Sequence, residues 1–600
     1  MKKIVSVFLT MFLFTSCHEI LNVSPKDFLS PQTYYDTENQ LNTALTGIYS
    51  ILGRNELYGD FMLGRLGLDA DEGWNYYDEN TVGYYAVSTS DAKITGYWNV
   101  LYEGINRANV LLDNIHKPVM DDIKRKDIEG QALFLRSYYY FMLVVRFGDV
   151  PLILKPVTTG NAEEVQTPRI PAKEVYEQVV KDMTTSADLI MDAAGHPGRV
   201  TRSAVWGILA RVCLNMAGNP INDITKYQDA SSWAYKVISS EKHELNPSYE
   251  QVFINYAQDI YDFKESIWEV EFWGNGDGIY SGAAGRVGRN NGIPQTADAD
   301  VGYATGTVRP TAYLHNLYAA EDLRKNWVIA PFYYTGNPAT KVSWTGVVYR
   351  LSCSKFRREY ELLKPKNNTW TPQNYPILRY SDVLLMYAEA ENALGRNLSS
   401  TEPHVQAVNN VRRRAYGKYL NGEGVKSITI VSPGTGYTTV PIVTISGGGG
   451  SGATAIATIS GGGIASITVT NKGKFYTSTP TIAITGGNGS GATATVMLTE
   501  ITDADLGVGY LASSTLFLKA IQEERARELC FENLRKDDLI RWGIFYERMK
   551  ASLADVPNGT GKIYTAPKTI YTNATARDVL WPIPLSEMNV NRKLVQNEGW

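Results

Sequence analysis

An internal repeat is the feature that most constrains the fold of this chain. Residues 427–455 recur 39 positions later as residues 466–494, and Tyr437 in the first copy matches Tyr476 in the second. Between glycine clusters, apolar and polar residues alternate over short stretches, a pattern typical of strands joined by tight turns. Much of the surplus among the chain's 52 glycines lies in this segment. We therefore predict a small all-β unit of two copies over residues 425–500.

The rest of the chain carries the apolar spacing of amphipathic helices. Pro171 fits the first turn of one helix, and Gly218 followed by Pro220 ends another. The predicted fold class is mainly α, with tetratricopeptide-like helix pairs that lack a strict period of about 34 residues, long irregular loops, and the β unit as an insertion. The loop-rich segments, 251–307 and 331–375, are long enough to favour a functional role. The predicted helices are 40–52, 98–114, 127–147, 172–191, 203–217, 230–239, 380–394, 405–415 and 514–533.

The N-terminus resembles a bacterial lipoprotein signal peptide. A lysine pair precedes an apolar run over residues 4–14, and Ser16 stands directly before Cys17, as at the end of a lipobox. We predict that residues 1–16 are removed and that Cys17 becomes the acylated N-terminus, carrying chains such as palmitate. The alternative is an ordinary signal peptide with an incidental cysteine. Since no later apolar stretch approaches the length of a membrane span, we expect a chain tethered to a membrane without spanning it.

Composition excludes several classes of protein. Hydrophobic residues make up 44% and charged residues 20%, which is globular rather than disordered, collagen-like or polytopic in a membrane. With 58 basic against 62 acidic residues, the chain lacks the positive field that nucleic acid binding requires. Cysteines after Cys17 are too few for a disulfide framework. Cys213 and Cys530 lie in helical patterns, and we predict that both are buried free thiols.

Five groups of motifs follow one another along the chain: residues 131–141 with 146–152, 377–390, 408–415, 524–529 with 538–543, and 580–584 with 596–600. Together they resemble the SusD-like (RagB-type) family of outer-membrane lipoproteins of Bacteroidetes. With Cys17, the resemblance covers the mature chain except residues 425–500. The family usually has glycine where this chain has Asn533, and an aromatic pair where it has Lys536 and Asp537.

The resemblance implies a surface-exposed binding lipoprotein that sits as a lid on a SusC-like, TonB-dependent outer-membrane transporter. Its implied role is to capture a glycan, or in some members a peptide, and to pass it to the transporter. The implied organisation is a signal peptide over 1–16, a helical domain whose first part is 17–424, the β unit over 425–500, and a C-terminal helical part over 501–600. The charged residues of the motifs are expected to form buried or half-buried ion pairs rather than ligand contacts; they are Arg136, Asp382, Arg525 and Glu528.

Aromatic side chains in loops are the candidates for ligand binding. Sugars present apolar faces that stack on rings and hydroxyl groups that bond to amide, carboxylate and guanidinium groups. Trp74 and Trp273 are the strongest candidates, since neither lies on a periodic apolar face and polar residues flank both. Packing in the core is the alternative for each ring, and it is the interpretation preferred for Trp206 and Trp233. The predicted ligand contacts are Trp74, Asn75, Tyr76, Tyr77, Trp273, Asn275, Tyr280 and Arg289, with Trp344 and Trp370 in the other long loop.

Enzyme signatures are missing from the sequence. The chain has six histidines, no H-E-x-x-H motif, no G-x-S-x-G elbow and no P-loop, and its one match to a dinucleotide fingerprint is followed by no helix. Carboxylate pairs for glycoside hydrolysis are set in three dimensions and stay open. Acidic groups around Asp71 and Asp298 could hold Ca²⁺, although solvated loops are preferred. We predict no enzyme, cofactor or metal; the alternatives are adhesion through the β unit, peptide capture and a glycan-degrading enzyme.

Overall fold

The computed structural model describes residues 34–63, 70–77, 82–157, 166–191, 198–278, 282–296, 298 and 300–600. The predicted signal peptide, the predicted lipidation site Cys17 and the candidate ligand contact Tyr280 lie outside the described residues. Across these described ranges, no helix is both long enough and apolar enough to cross a membrane.

Helices make up most of the secondary structure, which confirms the predicted fold class. The first group is α1 (Glu38–Tyr49), α2 (Ala92–Asn114), α3 (Asp122–Phe147), α4 (Ala172–Leu189), α5 (Arg202–Ala217), α6 (Lys226–Ser239), α7 (Tyr249–Gln258), α8 (Val287–Asn291), α9 (Ala312–Leu317) and α10 (Arg324–Val328). The second group is α11 (Tyr380–Ala393), α12 (Pro403–Ala415), α13 (Lys418–Asn421), α14 (Ser514–Leu529), α15 (Arg535–Arg541), α16 (Phe545–Asp555), α17 (Lys562–Asn573) and α18 (Leu585–Val590).

Neighbouring helices pack in sequence order. Each helix from α2 to α5 packs against the one that follows it, and α6 then packs against α11 across a large gap in the chain. Helix α11 also contacts α12 and α14. We call these helices and the loops between them the helical body.

Side-chain caps explain why several helices begin where they do. The Asp91 carboxylate accepts hydrogen bonds from the backbone N–H of Lys93 (2.8 Å) and Ile94 (3.0 Å), so α2 begins six residues before the predicted start at 98. Asp121 caps α3 in the same way. Acidic caps satisfy N–H groups that have no partner within the helix. The predicted start at 98 missed this first turn because a polar capping side chain, and not the apolar spacing, sets where the helix begins.

The end of α14 differs from the prediction. The expected helix ran to residue 533, but α14 ends at Leu529, because Cys530 is extended and both Phe531 and Asn533 have φ of +62°. This left-handed backbone favours glycine, and asparagine tolerates it better than most other residues. Asn533 therefore holds the conformation that the glycine usual in the resembled family would adopt.

Short antiparallel strand pairs join the loops of the helical body. Strand β1 pairs with β3, β2 with β8, β4 with β7, and β5 with β6. The strands are β1 (Gly73–Asn75), β2 (Ser266–Val270), β3 (Val308–Pro310), β4 (Ile329–Ala330), β5 (Phe332–Thr335), β6 (Thr340–Ser343), β7 (Ser352–Cys353) and β8 (Tyr375–Arg379).

The repeated segment forms six strands, and we call it the β unit. Its strands are β9 (Val425–Thr435), β10 (Ile442–Ser446), β11 (Ser451–Ser460), β12 (Gly463–Lys474), β13 (Thr481–Thr485) and β14 (Ser490–Leu498). Strands pair between the two copies: β9 with β14, β10 with β13, and β11 with β12. The copies are therefore interleaved rather than folded side by side.

One tyrosine from each copy anchors the small core of the β unit. Tyr437 and Tyr476 are both buried. A Cβ atom on Gly489 would lie 2.4 Å from Cγ of Tyr437, and one on Gly450 would lie 2.4 Å from Cγ of Tyr476. The repeated glycines thus leave room for the repeated rings, which explains why both occur at the same spacing.

The helical body buries a network of charges around α14. Glu528 accepts hydrogen bonds from Arg324 and Arg379 (2.9 Å each) and from Arg414 (2.5 Å), and the four side chains are fully buried. Glu528, one of the predicted ion-pair residues, is the centre of this network. The other three form further ion pairs: Arg136 pairs with Asp182, Asp382 pairs with Arg211 and Arg525, and Arg525 also pairs with Asp538. The ion-pair prediction is confirmed, and so is the prediction that Cys213 and Cys530 are buried free thiols.

Candidate functional site

The first predicted loop cluster is a strand rather than an exposed loop. Trp74 lies in β1 opposite Arg309 of β3, and its side chain is only 1% exposed. Asn75 is buried as well, and its side-chain oxygen accepts a hydrogen bond from the Tyr77 N–H at 2.8 Å. This corrects the expectation for Trp74: strand pairing turns its ring into the core, where it offers no face to a ligand.

The acidic residues before Trp74 are also buried, which corrects the expectation of a solvated acidic loop. The carboxylate of Asp71 bonds to Arg535 (2.7 Å) and Arg548 (2.9 Å). Burial alone would raise the pKa of Asp71, but these two guanidinium groups hold it below its usual value. Burial raises the pKa of Glu72 to about 8, since its main hydrogen bond comes from the neutral N–H of Phe531.

Tyr76 and Tyr77 form the exposed part of this region. Their rings meet edge to face at 4.9 Å, and the Tyr77 side chain is 53% exposed. The Tyr76 N–H donates to the carbonyl of Thr307 (2.9 Å), which continues the β1–β3 ladder and fixes where both rings point. Two tyrosines in sequence are thus held at the surface by a strand whose own side chains are buried.

Cations surround these two rings. The Arg309 guanidinium lies 4.3 Å from the Tyr76 ring centre, and the Lys562 ammonium lies 5.1 Å from it. Arg289 is connected to Tyr77 through Thr305. The Thr305 N–H donates a hydrogen bond to the Arg289 carbonyl, and the Tyr77 hydroxyl donates one to the Thr305 carbonyl. We call this surface the tyrosine patch; it consists of Tyr76, Tyr77, Arg289, Arg309 and Lys562, with Tyr303 packed on Arg289 at 5.8 Å.

Trp273 lies in a different place, at the wall of an open cavity of about 610 Å³. It follows β2, and its backbone N–H donates to the carbonyl of Ala283 (2.9 Å). The preceding residue, Phe272, is held by Asn374 and is buried. The chain thereby turns the Trp273 side chain outward, where 43% of it is exposed. We call this space the Trp273 cavity.

Rings and charged groups alternate around the Trp273 cavity. Tyr49 and Tyr261 line it with Trp273, and its ionisable groups are Arg54, Arg199, Asp259, Glu269 and Glu271. Arg199 lies 5.0 Å from the ring centre of Tyr49. Partial burial, with Asp259 nearby, raises the pKa of Glu271 to about 7. The cavity therefore offers both flat apolar faces and hydrogen-bonding groups.

The other predicted contacts near Trp273 are used within the protein. The amide of Asn275 donates to the carbonyl of Pro365 (3.2 Å), and Trp370 packs against Gly276. Arg286 lies 4.6 Å from the Trp370 ring centre while it pairs with Asp60. The structure thus brings Tyr76, Tyr77 and Arg289 together in one surface and places Trp273 in another.

The acidic groups considered for Ca²⁺ serve other purposes. The Asp298 carboxylate accepts three backbone N–H groups, at 2.8 Å each, from Asp300, Val301 and Ala339. Among the described residues, no group of three or more acidic, histidine or cysteine side chains is placed to hold a metal ion.

Sequence reasoning missed most of the residues that complete the two surfaces. Tyr49, Arg199 and Tyr261 come from separate helix ends, and Arg309 and Lys562 are more than 200 residues from Tyr76. Tyr261 follows Asp259 just after the end of α7, and this polar residue close to an aromatic one was an available signal in the sequence. The other residues could be found only from the tertiary structure.

Family models match on both sides of the β unit. Residues 19–214 match a model described as "Starch-binding associating with outer membrane" (SusD-like), and residues 319–426 and 492–600 match the SusD family model. The chain belongs to the SusD/RagB family. The second match breaks over residues 427–491, which lie within the β unit and include most of its strands.

Individual relatives and solved structures are similar to this chain. SusD-like protein P2 of Formosa agariphila is 25% identical over 69% of this chain and 82% of its own length. A SusD homologue of Bacteroides thetaiotaomicron superposes with a TM-score of 0.73 at 23% identity, covering 95% of this chain and 98% of that one. Surface glycan-binding protein A of Bacteroides fluxus superposes with a TM-score of 0.63 at 18% identity, covering 94% and 100%.

Proposed function

We propose that this SusD/RagB protein binds an oligo- or polysaccharide and that the Trp273 cavity holds part of it. The single observation that carries the proposal is the exposed indole of Trp273 at the wall of a cavity of about 610 Å³. That volume lies within the range of small-ligand sites, about 300–1,000 Å³. A tryptophan held at the surface by its own backbone, beside further rings, is suited to stacking on a sugar.

The polar groups of the cavity suit the edges of a sugar. Arg54 and Arg199 donate hydrogen bonds, and Asp259 accepts them, so sugar hydroxyl groups find partners of both kinds. Ring stacking contributes about 1 kcal/mol for each ring, less the entropy of binding. We therefore expect weak to moderate affinity, which suits a protein that must release what it captures.

We further propose a place for this binding in the cell. The family model's description names starch binding and the outer membrane, and a B. fluxus relative of this fold carries glycan binding in its name. A chain lipidated at Cys17 would lie at the outer membrane facing outward and pass its ligand to a SusC-like, TonB-dependent transporter. In this proposal the protein is a binding protein and not an enzyme, and the boundaries 17–424, 425–500 and 501–600 separate the helical body from the β unit.

The test is calorimetric titration of the chain from residue 18 onward with a panel of plant, host and microbial glycans. We expect one class to bind, and Trp273→Ala to weaken that binding about tenfold, since most of the exposed stacking surface is lost. Tyr235→Ala is the matched control, because Tyr235 is a similarly exposed ring (53%) on α6 that does not line the cavity.

Three results would contradict the proposal. If the folded chain bound none of the glycans, a glycan would be excluded as the ligand and peptides would be tested next. If Trp273→Ala and the unaltered chain bound the glycan with equal affinity, the Trp273 cavity would be excluded as the binding site. Release of reducing ends from a bound polysaccharide would show an enzyme instead.

A further inference from the structure

Arg309 is a buried cation without a carboxylate partner among the described residues. Its side chain is nine-tenths buried, and Nη1 donates to the backbone carbonyl of Arg350 at 2.5 Å. Nε is sealed from solvent and makes no hydrogen bond within the described part of the chain. Burial lowers the pKa of Arg309, while the neighbouring side chains of Tyr76 and Tyr77 act in the opposite direction and raise it.

Other buried arginines of this protein are compensated. Arg324 and Arg379 are each paired with the carboxylates of three residues, and Arg414 with those of two, Glu265 and Glu528. A buried charge without a counter-charge costs free energy unless something supplies one. Arg309 departs from the pattern of its own protein at the edge of an exposed surface, which indicates that its partner comes from outside.

The surroundings of Arg309 fit a sugar with an acidic group. Tyr76 stacks on its guanidinium at 4.3 Å, and Tyr77 beside it is more than half exposed. The Lys562 ammonium lies within 6 Å of both ring centres. Nη2 of Arg309 is neither among the buried unsatisfied atoms nor bonded within the described residues, and it is the atom left to meet a ligand.

We infer that the tyrosine patch binds a negatively charged sugar unit, through Nη2 of Arg309 to its carboxylate or sulfate ester and through Tyr77 to its ring. This inference rests on the proposed glycan-binding function and adds a charge requirement to it. The N–H groups of an arginine make charge-assisted hydrogen bonds to carboxylate and sulfate oxygens, and Nη2 of Arg309 carries two such donors. A neutral sugar would cover the patch and leave the buried charge unmatched, so the patch should discriminate against it.

The experiment uses pairs of ligands that differ only in charge. One pair is oligogalacturonate and its methyl ester; the other is a sulfated galactan oligosaccharide and its desulfated form. Each is titrated calorimetrically into the chain from residue 18 onward. We expect the charged member of one pair to bind at least about tenfold more tightly than its neutral partner, the gain from a charge-assisted contact. The pair that shows the difference distinguishes carboxylate from sulfate.

Variants assign the charge preference to the patch. We expect Arg309→Gln to bring the two members of the pair to about equal affinity, and Arg309→Lys to keep part of the preference. Trp273→Ala serves as the matched control, since it should weaken both members by the same factor. Salt gives a readout that needs no variant: raising ionic strength should weaken the charged ligand and leave the neutral one nearly unchanged.

Each contrary outcome is distinct. If charged and neutral members bind equally, or if the preference survives Arg309→Gln in a folded variant, the inference is overturned while glycan binding stands. If salt has no effect on the charged ligand, the inference also falls. If no glycan of either kind binds, the proposed function fails and takes this inference with it.

Discussion

The helical body and the β unit differ in which side chains they bury. The body encloses a continuous apolar core and, within it, fully buried charges such as Glu528 and Arg379. The β unit buries a few small apolar residues and two tyrosines. Between residues 425 and 499 it has three lysines and no acidic residue, so it contains no internal ion pair.

This difference separates the residues that hold the fold from those that can bind. The body has a rigid charged interior that positions β1, β2 and the loops after them, and both candidate surfaces lie there. The β unit has glycines and tyrosines in matched positions and outward-facing threonines. Its contacts with the body are made at its base, for example from the Phe475 N–H to the Asn421 carbonyl at 2.9 Å. We therefore propose that glycan binding belongs to the body alone.

The largest effect is expected from breaking the charge network of the body. Glu528→Gln removes the carboxylate shared by three buried arginines, and we expect the free energy of unfolding to fall by about 3–5 kcal/mol. Tryptophan fluorescence during urea unfolding reports on the body alone, since residues 425–499 contain no tryptophan. The control is Glu523→Gln, whose carboxylate is partly exposed and 3.8 Å from Arg527, with a change below about 1 kcal/mol. Equal effects of the two substitutions would contradict the network's role.

A smaller effect, confined to the β unit, is expected from filling the space next to its tyrosines. Gly450→Ala and Gly489→Ala each bring a Cβ atom to 2.4 Å from a buried tyrosine ring, and overpacking of this kind costs about 1–3 kcal/mol. Because the two copies are interleaved, we expect equal losses of amide-exchange protection in β9 to β14 for both variants. The tryptophan transition of the body should not move. Gly507→Ala, where nothing lies within 4 Å, is the control.

A third prediction concerns pH, because only the body contains buried carboxyl groups. Burial raises the pKa of Glu72 to about 8, so its stabilising protonated form is fully present below about pH 4.5 and is lost as pH rises toward 8. We expect Glu72→Gln to remove a slope of at most about 1.4 kcal/mol per pH unit from stability between those values. Asp71→Asn is the opposite case: its lowered pKa makes the ionised form stabilising, so this variant should lose stability at neutral pH. Parallel pH profiles for Glu72→Gln and the unaltered chain would contradict the assignment.

The sequence predicted the two architectures better than it predicted their surfaces. The repeat of Tyr437 at Tyr476 located the β unit, and apolar spacing located the helices, because both are local patterns. It did not show that the copies interleave. That pairing joins β9 to β14, strands more than 50 residues apart.

The candidate site illustrates the limit of local reasoning. Trp74 and Tyr77 share one short polar segment, yet the ladder between β1 and β3 buries the first and exposes the second. The ring of Trp273 is exposed, as the polar residues that flank it in the sequence indicated, and its contact with a ligand stays a prediction. The partners that make each surface specific, such as Arg199 and Arg309, reach it only through tertiary contacts.

The most direct test of the central claim is the glycan affinity of a chain that lacks the β unit. Gly424 and Thr499 are hydrogen-bonded to each other, with the Thr499 N–H 2.7 Å from the Gly424 carbonyl, so a short glycine linker can join them. We predict that this chain binds the glycan with unchanged affinity and that Trp273→Ala weakens binding in it about tenfold, as in the full chain. Loss of binding in the shortened but folded chain would place the ligand on the β unit and contradict the account.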